Sequence, residues 1–166
     1  MKNILSLLVL LAFCSQSQAQ SSGFLGAGSR ASDPDVAAVH ELWENVWKAY
    51  DSGDDAAMFS YYTSQAAEIG PDGNITFGRE ALEASWQMFM QMVDERPKFR
   101  YRNPLVRLLS DGLALIVWDS EADIKIGGQQ IGGQTKGVAI VHKINGVWKV
   151  EFDSLTPIMP MPEEEK

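Results

Sequence analysis

Two dipeptides in the second half of the chain restrict its fold more than any other feature. Asp111-Gly112 and Asn145-Gly146 each lie between runs in which apolar and polar residues alternate. Asp-Gly and Asn-Gly readily adopt the positive φ angles that two-residue hairpin turns need, so each dipeptide predicts a β-hairpin. We therefore expect antiparallel strands from Phe99 onward.

The two turns also predict which side chains share a face. An uninterrupted ladder from the first turn places Arg102 opposite Glu121 and Arg100 opposite Asp123, which gives two pairs of opposite charge. For the second hairpin, the alternation predicts two faces. One carries Trp148, Val150 and Phe152, and the other carries Ile140, His142, Lys149, Glu151 and Asp153.

The first half of the chain has helical spacing. A first helix is expected from Asp33-Pro34 to Ser52-Gly53, since Asp caps a helix start, Pro suits the first turn and Gly ends a helix. Its apolar stripe contains Val36, Val39, Trp43, Val46 and Tyr50. A short helix from Asp54 to about Tyr62, a brief strand at Glu68-Ile69 and a third helix from about Arg79 to Val93 complete the prediction.

The chain is predicted to divide into four segments. Residues 1–19 have a positive start, a ten-residue apolar run and small residues, Ser17 and Ala19, at positions −3 and −1 of a cleavage site, which is typical of a secretory signal peptide. Residues 20–32 are expected to be a flexible linker, 33–156 the folded domain and 157–166 an acidic tail. We expect cleavage near Ala19, a periplasmic or secreted protein, and no membrane span.

Charge and composition exclude several functions. The chain has 14 basic and 22 acidic residues, a net charge of −8, one Cys and two His. Nucleic-acid binding needs clustered Lys and Arg, so it is not expected at this charge. Neither His lies at a metal-ligand spacing, and we expect neither a metal nor another cofactor.

The order of short motifs resembles the SnoaL-like branch of the nuclear transport factor 2-like superfamily. The motifs are residues 50–55 (YDSGDD), 70–73 (GPDG), 78–82 (GREAL) and 145–150 (NGVWKV). The resemblance implies an α+β cone, in which a curved, mixed and mainly antiparallel sheet wraps around N-terminal helices. Such cones often dimerise through the sheet and hold a small, mostly apolar ligand.

The same resemblance argues against one enzyme mechanism. Ketosteroid isomerases of this superfamily need a phenol, a carboxylate base and a neutral carboxylic acid. The matching positions here are Val46, Gly70 and Ile140, none of which carries such a group. No strand carries the Arg-x-Asp that an epoxide hydrolase of the superfamily would need.

Two sets of residues remain as candidate sites. His142 with Glu151 or Asp153 could act as a base and its orienting carboxylate, or form ordinary charge pairs on an exposed sheet face. The second set either lines a ligand pocket or fills the core: Trp43, Val46, Tyr50, Tyr62, Trp86, Met90, Trp118 and Ile140.

Three functions follow as hypotheses. The first is binding of a small, largely apolar molecule in the cone by a homodimer. The second is an isomerase, cyclase or hydrolase that uses His142 with Glu151 or Asp153. The third is a homodimeric protein-interaction module that uses the predicted face of Trp148, Val150 and Phe152.

Overall fold

The computed structural model describes residues 33–70 and 72–159. The predicted signal peptide, the linker and most of the predicted tail lie outside these residues. Within the described residues, no helix has both the length and the apolar character that crossing a bilayer requires.

Three helices and eight strands form the described part of the chain. In order, they are α1 (Pro34–Ser52), α2 (Asp55–Ser60), β1 (Tyr62–Ile69), β2 (Ile75–Phe77), α3 (Arg79–Met92), β3 (Lys98–Ser110), β4 (Leu113–Asp123), β5 (Lys125–Ile126), β6 (Gln129–Gln130), β7 (Gln134–Ile144) and β8 (Val147–Pro157). The prediction of an α+β fold with a mainly antiparallel sheet is confirmed.

Helix α1 begins and ends where the sequence predicts. The Asp33 side chain accepts a hydrogen bond from the backbone N–H of Asp35 at 2.9 Å, which satisfies one of the free donors at the helix start. Gly53 ends the helix at φ 77°, a conformation that costs glycine little. The whole predicted apolar stripe of α1 is buried.

Six strands form one sheet in the order β2-β1-β8-β7-β4-β3, and β5 and β6 form a separate short hairpin. Every neighbouring pair in the large sheet is antiparallel except β1 and β8, which are parallel. One face of the sheet, here called the inner face, packs against α1 through contacts such as the one between the rings of Trp43 and Trp118. The opposite face is called the outer face.

The first hairpin has the predicted turn but not the predicted charge pairs. Its ladder shifts near the turn and again near Pro104, so Arg100 pairs with Glu121 and Arg102 with Asp119. The predicted pairing was therefore wrong by two residues on the second strand. Arg100 and Glu121 approach within 3.5 Å, so charge pairing on this outer surface survives the change of register.

The region between α1 and α3 contains more strand than the sequence predicts. Helix α2 ends at Ser60, and β1 begins at Tyr62 rather than at Glu68. Strand β1 gains its hydrogen bonds from β8, more than 80 residues away in the chain. This long-range pairing overrides the helical appearance of residues 61–62.

Candidate functional site

A β-bulge at Glu151 decides which side chains meet inside the fold. Val141 pairs with Val150, but the next residue, Ile140, pairs with Phe152, so Glu151 has no partner on β7. Because one residue is inserted, every later side chain of β8 changes face relative to an uninterrupted ladder. Asp153 consequently lies beside Ala139, which is fully buried on the inner face.

The predicted face shared by His142, Glu151 and Asp153 is therefore wrong. His142 and Glu151 lie on the outer face with 49% and 37% of their side chains exposed, and His142 Nδ1 is 4.0 Å from Glu151 Oε2. Asp153 lies on the inner face. The structure thus separates the His–carboxylate pair from the buried carboxyl group, and the exposed pair resembles an ordinary surface charge pair.

Asp153 is bound by Tyr62 from the neighbouring strand. The Tyr62 hydroxyl donates a hydrogen bond to Asp153 Oδ2 at 2.9 Å. Oδ1 of the same carboxyl is shielded from solvent and has no hydrogen-bond partner among the described residues. Burial, followed by the negative charge of Glu68, raises the pKa of Asp153 to about 8, although the bond from Tyr62 opposes the rise. The carboxyl group is therefore mainly protonated at neutral pH.

Glu68 is the direct neighbour of Asp153 on β1. The two residues are register partners in the parallel pair β1–β8, so their side chains project to the same face. Burial and the charge of Asp72 raise the pKa of Glu68. Asp72 itself belongs to the turn after β1, where it accepts hydrogen bonds from the backbone and the side chain of Asn74.

We call Glu68 and Asp153 the inner carboxyl pair. Tyr62 lies beside this pair and is hydrogen-bonded to Asp153. Two carboxyl groups this close cannot both ionise easily, because each negative charge disfavours the other. The pair therefore tends to hold one proton, which leaves one neutral acid and one carboxylate side by side. Such a pair can donate a proton at one atom of a substrate and remove a proton at another.

The aromatic residues predicted to line a pocket pack mainly against each other. Trp43 contacts Trp118 with ring centroids 4.4 Å apart, and Tyr50 contacts Trp86 at 5.8 Å. Tyr50 also donates a hydrogen bond to the carbonyl of Pro97. Five of the eight predicted ligand-binding residues are buried in the core: Trp43, Val46, Tyr50, Tyr62 and Trp118.

The other three predicted ligand-binding residues do not lie in the buried core. Trp86 and Met90, on α3, are partly buried. Ile140 alternates along β7 with the buried residues Ala139 and Val141, and therefore points to the outer face. The prediction that Ile140 faces the interior was wrong, because it assigned the two faces of β7 the wrong way round.

The predicted interaction face of Trp148, Val150 and Phe152 does not exist as one surface. Trp148 and Val150 are buried in the core, and Trp148 Nε1 donates to Asp35 at 3.3 Å. Phe152 lies beyond the bulge and points to the outer face. The outer face instead carries Leu115, Val138, Ile140 and Phe152, with Leu105 at its edge.

Two cavities adjoin helix α3. One of about 70 Å³ lies between α2 and α3 and is lined by Asp55, Ala56, Phe59, Glu83, Trp86 and Gln87. Pockets for small molecules usually measure about 300–1,000 Å³. A larger groove of about 360 Å³ lies at the start of α3, and Ser64 and Gln65 of β1, Phe77 and Arg79 are among its lining residues. In the described ranges, no three His, Cys, Asp or Glu side chains are grouped to hold a metal ion.

Glu68 was missed as a site residue by sequence reasoning. The sequence places it in a brief strand, but nothing in its local spacing links it to Asp153, 85 positions later. The link arises from the parallel pairing of β1 and β8 and from the bulge at Glu151. A buried strand that carries a single Glu next to a turn was the one available signal.

Helices packed into a curved, mixed and unclosed sheet, with a carboxyl pair on its inner face, define an α+β cone of the NTF2-like class. Solved structures confirm this fold. An NTF2-like protein of unknown function from Pseudomonas putida KT2440 superposes with a TM-score of 0.65 at 19% identity, covering 79% of this chain and 93% of that one. The chain belongs to the family of SnoaL-like domains, whose model matches residues 39–159.

Two further solved structures have the same fold. A ketosteroid isomerase-like protein from Erwinia carotovora atroseptica SCRI1043 gives a TM-score of 0.64 at 15% identity, covering 77% of this chain and 99% of that one. A candidate dehydratase of the NTF2-like family from Streptomyces avermitilis gives 0.64 at 14%, covering 76% and 97%. A comparison with curated protein sequences finds no match.

Proposed function

We propose that this chain is an acid–base enzyme of the dehydratase or isomerase type, with Asp153 and Glu68 as the proton-transferring groups. The observation that carries the proposal is the buried Asp153 carboxyl, which has Tyr62 on Oδ2, Glu68 as its neighbour and a free Oδ1. An unpaired buried carboxyl oxygen costs free energy, and carboxyl groups perturbed in this way cluster at functional sites, which supports a catalytic role for Asp153.

The two carboxyl groups have different roles in this proposal. Asp153 is the acid, because its pKa lies near 8 and its Oδ1 is free to donate a proton. Glu68 is the base that removes a proton from carbon. In a dehydration, the C–H electrons form the new double bond, the C–O bond breaks and the proton of Asp153 leaves with the hydroxyl as water. In an isomerisation, Asp153 returns a proton to a different carbon.

The proposal can be tested without knowing the substrate, by searching for host compounds that the chain converts. The purified protein is incubated in D₂O with a small-molecule extract of its own host, and mass spectrometry identifies compounds that gain deuterium or lose one water. We expect conversion by the wild type and by the matched control His142→Gln, and its loss in Asp153→Asn and Glu68→Gln. Loss in His142→Gln with retention in Asp153→Asn would move the activity to the outer His–Glu pair.

Binding without catalysis is the second candidate function. The aromatic interior, with Trp43, Trp118, Tyr50 and Trp86 in mutual contact, suits a small, largely apolar molecule. Because the rings fill the space between them, such a ligand would have to displace side chains. Native mass spectrometry of protein from its own host would detect a retained ligand, and a chain that retains a ligand but converts nothing would favour this candidate over the enzyme.

The proposal includes export and dimer formation. Residues 1–19 act as a cleaved signal peptide, which the mass of the mature protein from its host would establish. The outer face of the sheet, with partly exposed Ile140, Val138 and Phe152, supports a homodimer, since apolar side chains gathered on one face favour association.

A further inference from the structure

One short motif of the chain has no part in the proposed acid–base chemistry. Asn74-Ile75-Thr76 has the form Asn-x-Ser/Thr, with x other than Pro, which is the acceptor sequence for N-linked sugars in exported proteins. The chain contains five asparagines, and Asn74 is the only one with Ser or Thr two positions later. The sequence therefore offers a single acceptor position.

An acidic residue precedes this asparagine by two positions. Residues 72–76 read Asp-Gly-Asn-Ile-Thr, which is also the longer acceptor sequence that bacterial oligosaccharide transferases require, with Asp or Glu in its first position. Gly73 and Ile75 occupy the two variable positions, from which Pro is excluded. This longer form is the stricter condition, because it fixes Asp72 in addition to Asn74 and Thr76.

The motif lies in an exposed turn at an edge of the sheet. The turn connects β1 with β2, and β2 is an outermost strand of the large sheet. Asp72, Gly73 and Asn74 are exposed, and Ile75 is 57% exposed. A bulky sugar on the Asn74 side chain would therefore project into solvent and would displace no side chain of the core.

The contacts of Asn74 are compatible with an attached sugar. Its Nδ2 donates a hydrogen bond to Asp72 Oδ2 at 2.6 Å, and its backbone N–H donates to Asp72 Oδ1 at 3.0 Å. A side-chain amide nitrogen carries two hydrogens, and N-linkage replaces one of them. The remaining hydrogen can still be donated to Asp72, so the turn keeps both bonds after modification.

The third position of the motif, Thr76, is held only by a short edge strand. Thr76 is half-buried and pairs with Glu68, and β2 contributes just three residues to the ladder with β1. Its neighbour Phe77 is 72% exposed, so few buried contacts hold this strand. Such a segment opens at a low free energy, which gives a transferase access to the Thr76 hydroxyl.

We infer that Asn74 is the acceptor of an N-linked oligosaccharide in the exported protein. The donor is an oligosaccharide joined through pyrophosphate to a lipid. Asn74 Nδ2 forms a bond to C1 of the first sugar, the bond from C1 to the pyrophosphate oxygen breaks, and the lipid pyrophosphate leaves. The proton that Nδ2 loses passes to a base of the transferase. The inference rests on the export included in the proposed function, because this transfer takes place outside the cytoplasm.

Mass spectrometry of the full chain, purified from its own host, tests the inference. We expect the peptide that contains Asn74 to carry an oligosaccharide and fragmentation to place this mass on Asn74. Asn74→Gln should lose the sugar completely. A bare Asn74 in the wild-type protein, or the sugar on another residue, would overturn the inference.

Two pairs of variants test whether a transferase reads the motif. Thr76→Ser keeps the hydroxyl and should keep the sugar, whereas Thr76→Val keeps the shape of the side chain and should lose it. Asp72→Glu should keep the sugar, and Asp72→Asn should lose it. Equal occupancy of Asn74 in the two Thr76 variants would overturn recognition of the motif, and equal occupancy in the two Asp72 variants would overturn its longer form.

The same spectra separate this inference from the proposed function. A chain that is cleaved near Ala19 but bare at Asn74 would overturn the inference and keep export. A chain that retains residues 1–19 would overturn export and the inference together. The variant Asp153→Asn should carry the wild-type sugar, since Asp153 lies outside the motif. A glycosylated wild type that converts no host compound would overturn the enzyme and keep the modification site.

Discussion

The Tyr62 hydroxyl donates a 2.9 Å hydrogen bond to Asp153 Oδ2 and thereby joins the two strands that pair in parallel, β1 and β8. Tyr62 is buried, Asp153 is half-buried with its Oδ1 shielded from solvent, and the pKa of each is raised, mainly by burial. The bond occupies one carboxyl oxygen and leaves the other free. A purely structural acid would gain stability from a second donor, so the free oxygen is the feature that connects this contact with chemistry.

Removal of the Tyr62 hydroxyl should change the protonation of Asp153. In Tyr62→Phe the bond that lowers the pKa of Asp153 is lost, so we expect that pKa to rise further. The loss of one buried hydrogen bond should also reduce the free energy of unfolding by about 1 kcal/mol. Carboxyl ¹³C chemical shifts across a pH titration and urea unfolding measure the two effects. The neighbouring, partly buried Tyr61 provides the control variant Tyr61→Phe. An unchanged titration of Asp153 in Tyr62→Phe would contradict the hydrogen bond from Tyr62 to Asp153.

Stability should fall as the pH rises, because the folded chain holds a proton that the unfolded chain releases. The carboxyl of Asp153 has a pKa of about 8 when folded, whereas an unfolded Asp titrates near about 4. Between these values the folded state binds more protons, so the free energy of unfolding decreases with pH across this window. Between pH 5 and pH 8 we expect a loss of ~2–4 kcal/mol.

Asp153→Asn should remove most of this dependence. The amide stays neutral, so the folded and unfolded states no longer differ in proton binding at this position. Guanidinium unfolding at pH 5 and pH 8 compares the two proteins, and His142→Gln serves as the exposed control. An unchanged pH dependence in Asp153→Asn would mean that the carboxyl is ionised in the folded chain.

Local signals predict the helices and turns of this fold well. The Asp33 cap, the apolar stripe of α1 and the end at Gly53 all depend on residues within a few positions of each other, and each agrees with the structure. The same is true of α3, which ends within one residue of its predicted end. The predicted α+β cone therefore follows from patterns that the chain carries locally and from its resemblance to a known family.

The site could not be predicted in the same way, because two non-local features build it. The bulge at Glu151 moves Asp153 to the inner face, and an alternating sequence gives no sign of one inserted residue. The parallel pairing of β1 with β8 places Glu68 beside it. Asp153 was among the predicted candidates, but with His142 as its partner, whereas the structure gives it Glu68 and Tyr62.

Gly137 should tolerate no larger side chain, because the ring of Trp118 lies directly over it. A Cβ atom at this position would come within 2.5 Å of three atoms of the indole. We expect Gly137→Ala to reduce the free energy of unfolding by ~2–3 kcal/mol, as overpacking of a core does. Gly133→Ala is the matched control on the same segment, since a Cβ there meets nothing within 4 Å. Urea unfolding measures both, and equal stability of the two variants would contradict this packing.

A charge in the middle of the outer face should prevent dimer formation and leave the fold intact. Ile140 pairs with Leu115 on one side and with Phe152 on the other, so it occupies the centre of the apolar outer surface. A buried, unpaired ammonium in a dimer interface costs several kcal/mol, and Ile140→Lys should therefore weaken the dimer roughly 100-fold. The control Ala84→Lys adds the same charge at an exposed position on α3. Sedimentation equilibrium measures the dissociation constants, and circular dichroism checks that the variants are folded. A monomeric wild type, or an Ile140→Lys variant that dimerises as tightly as the control, would show that the outer face is not the dimer interface.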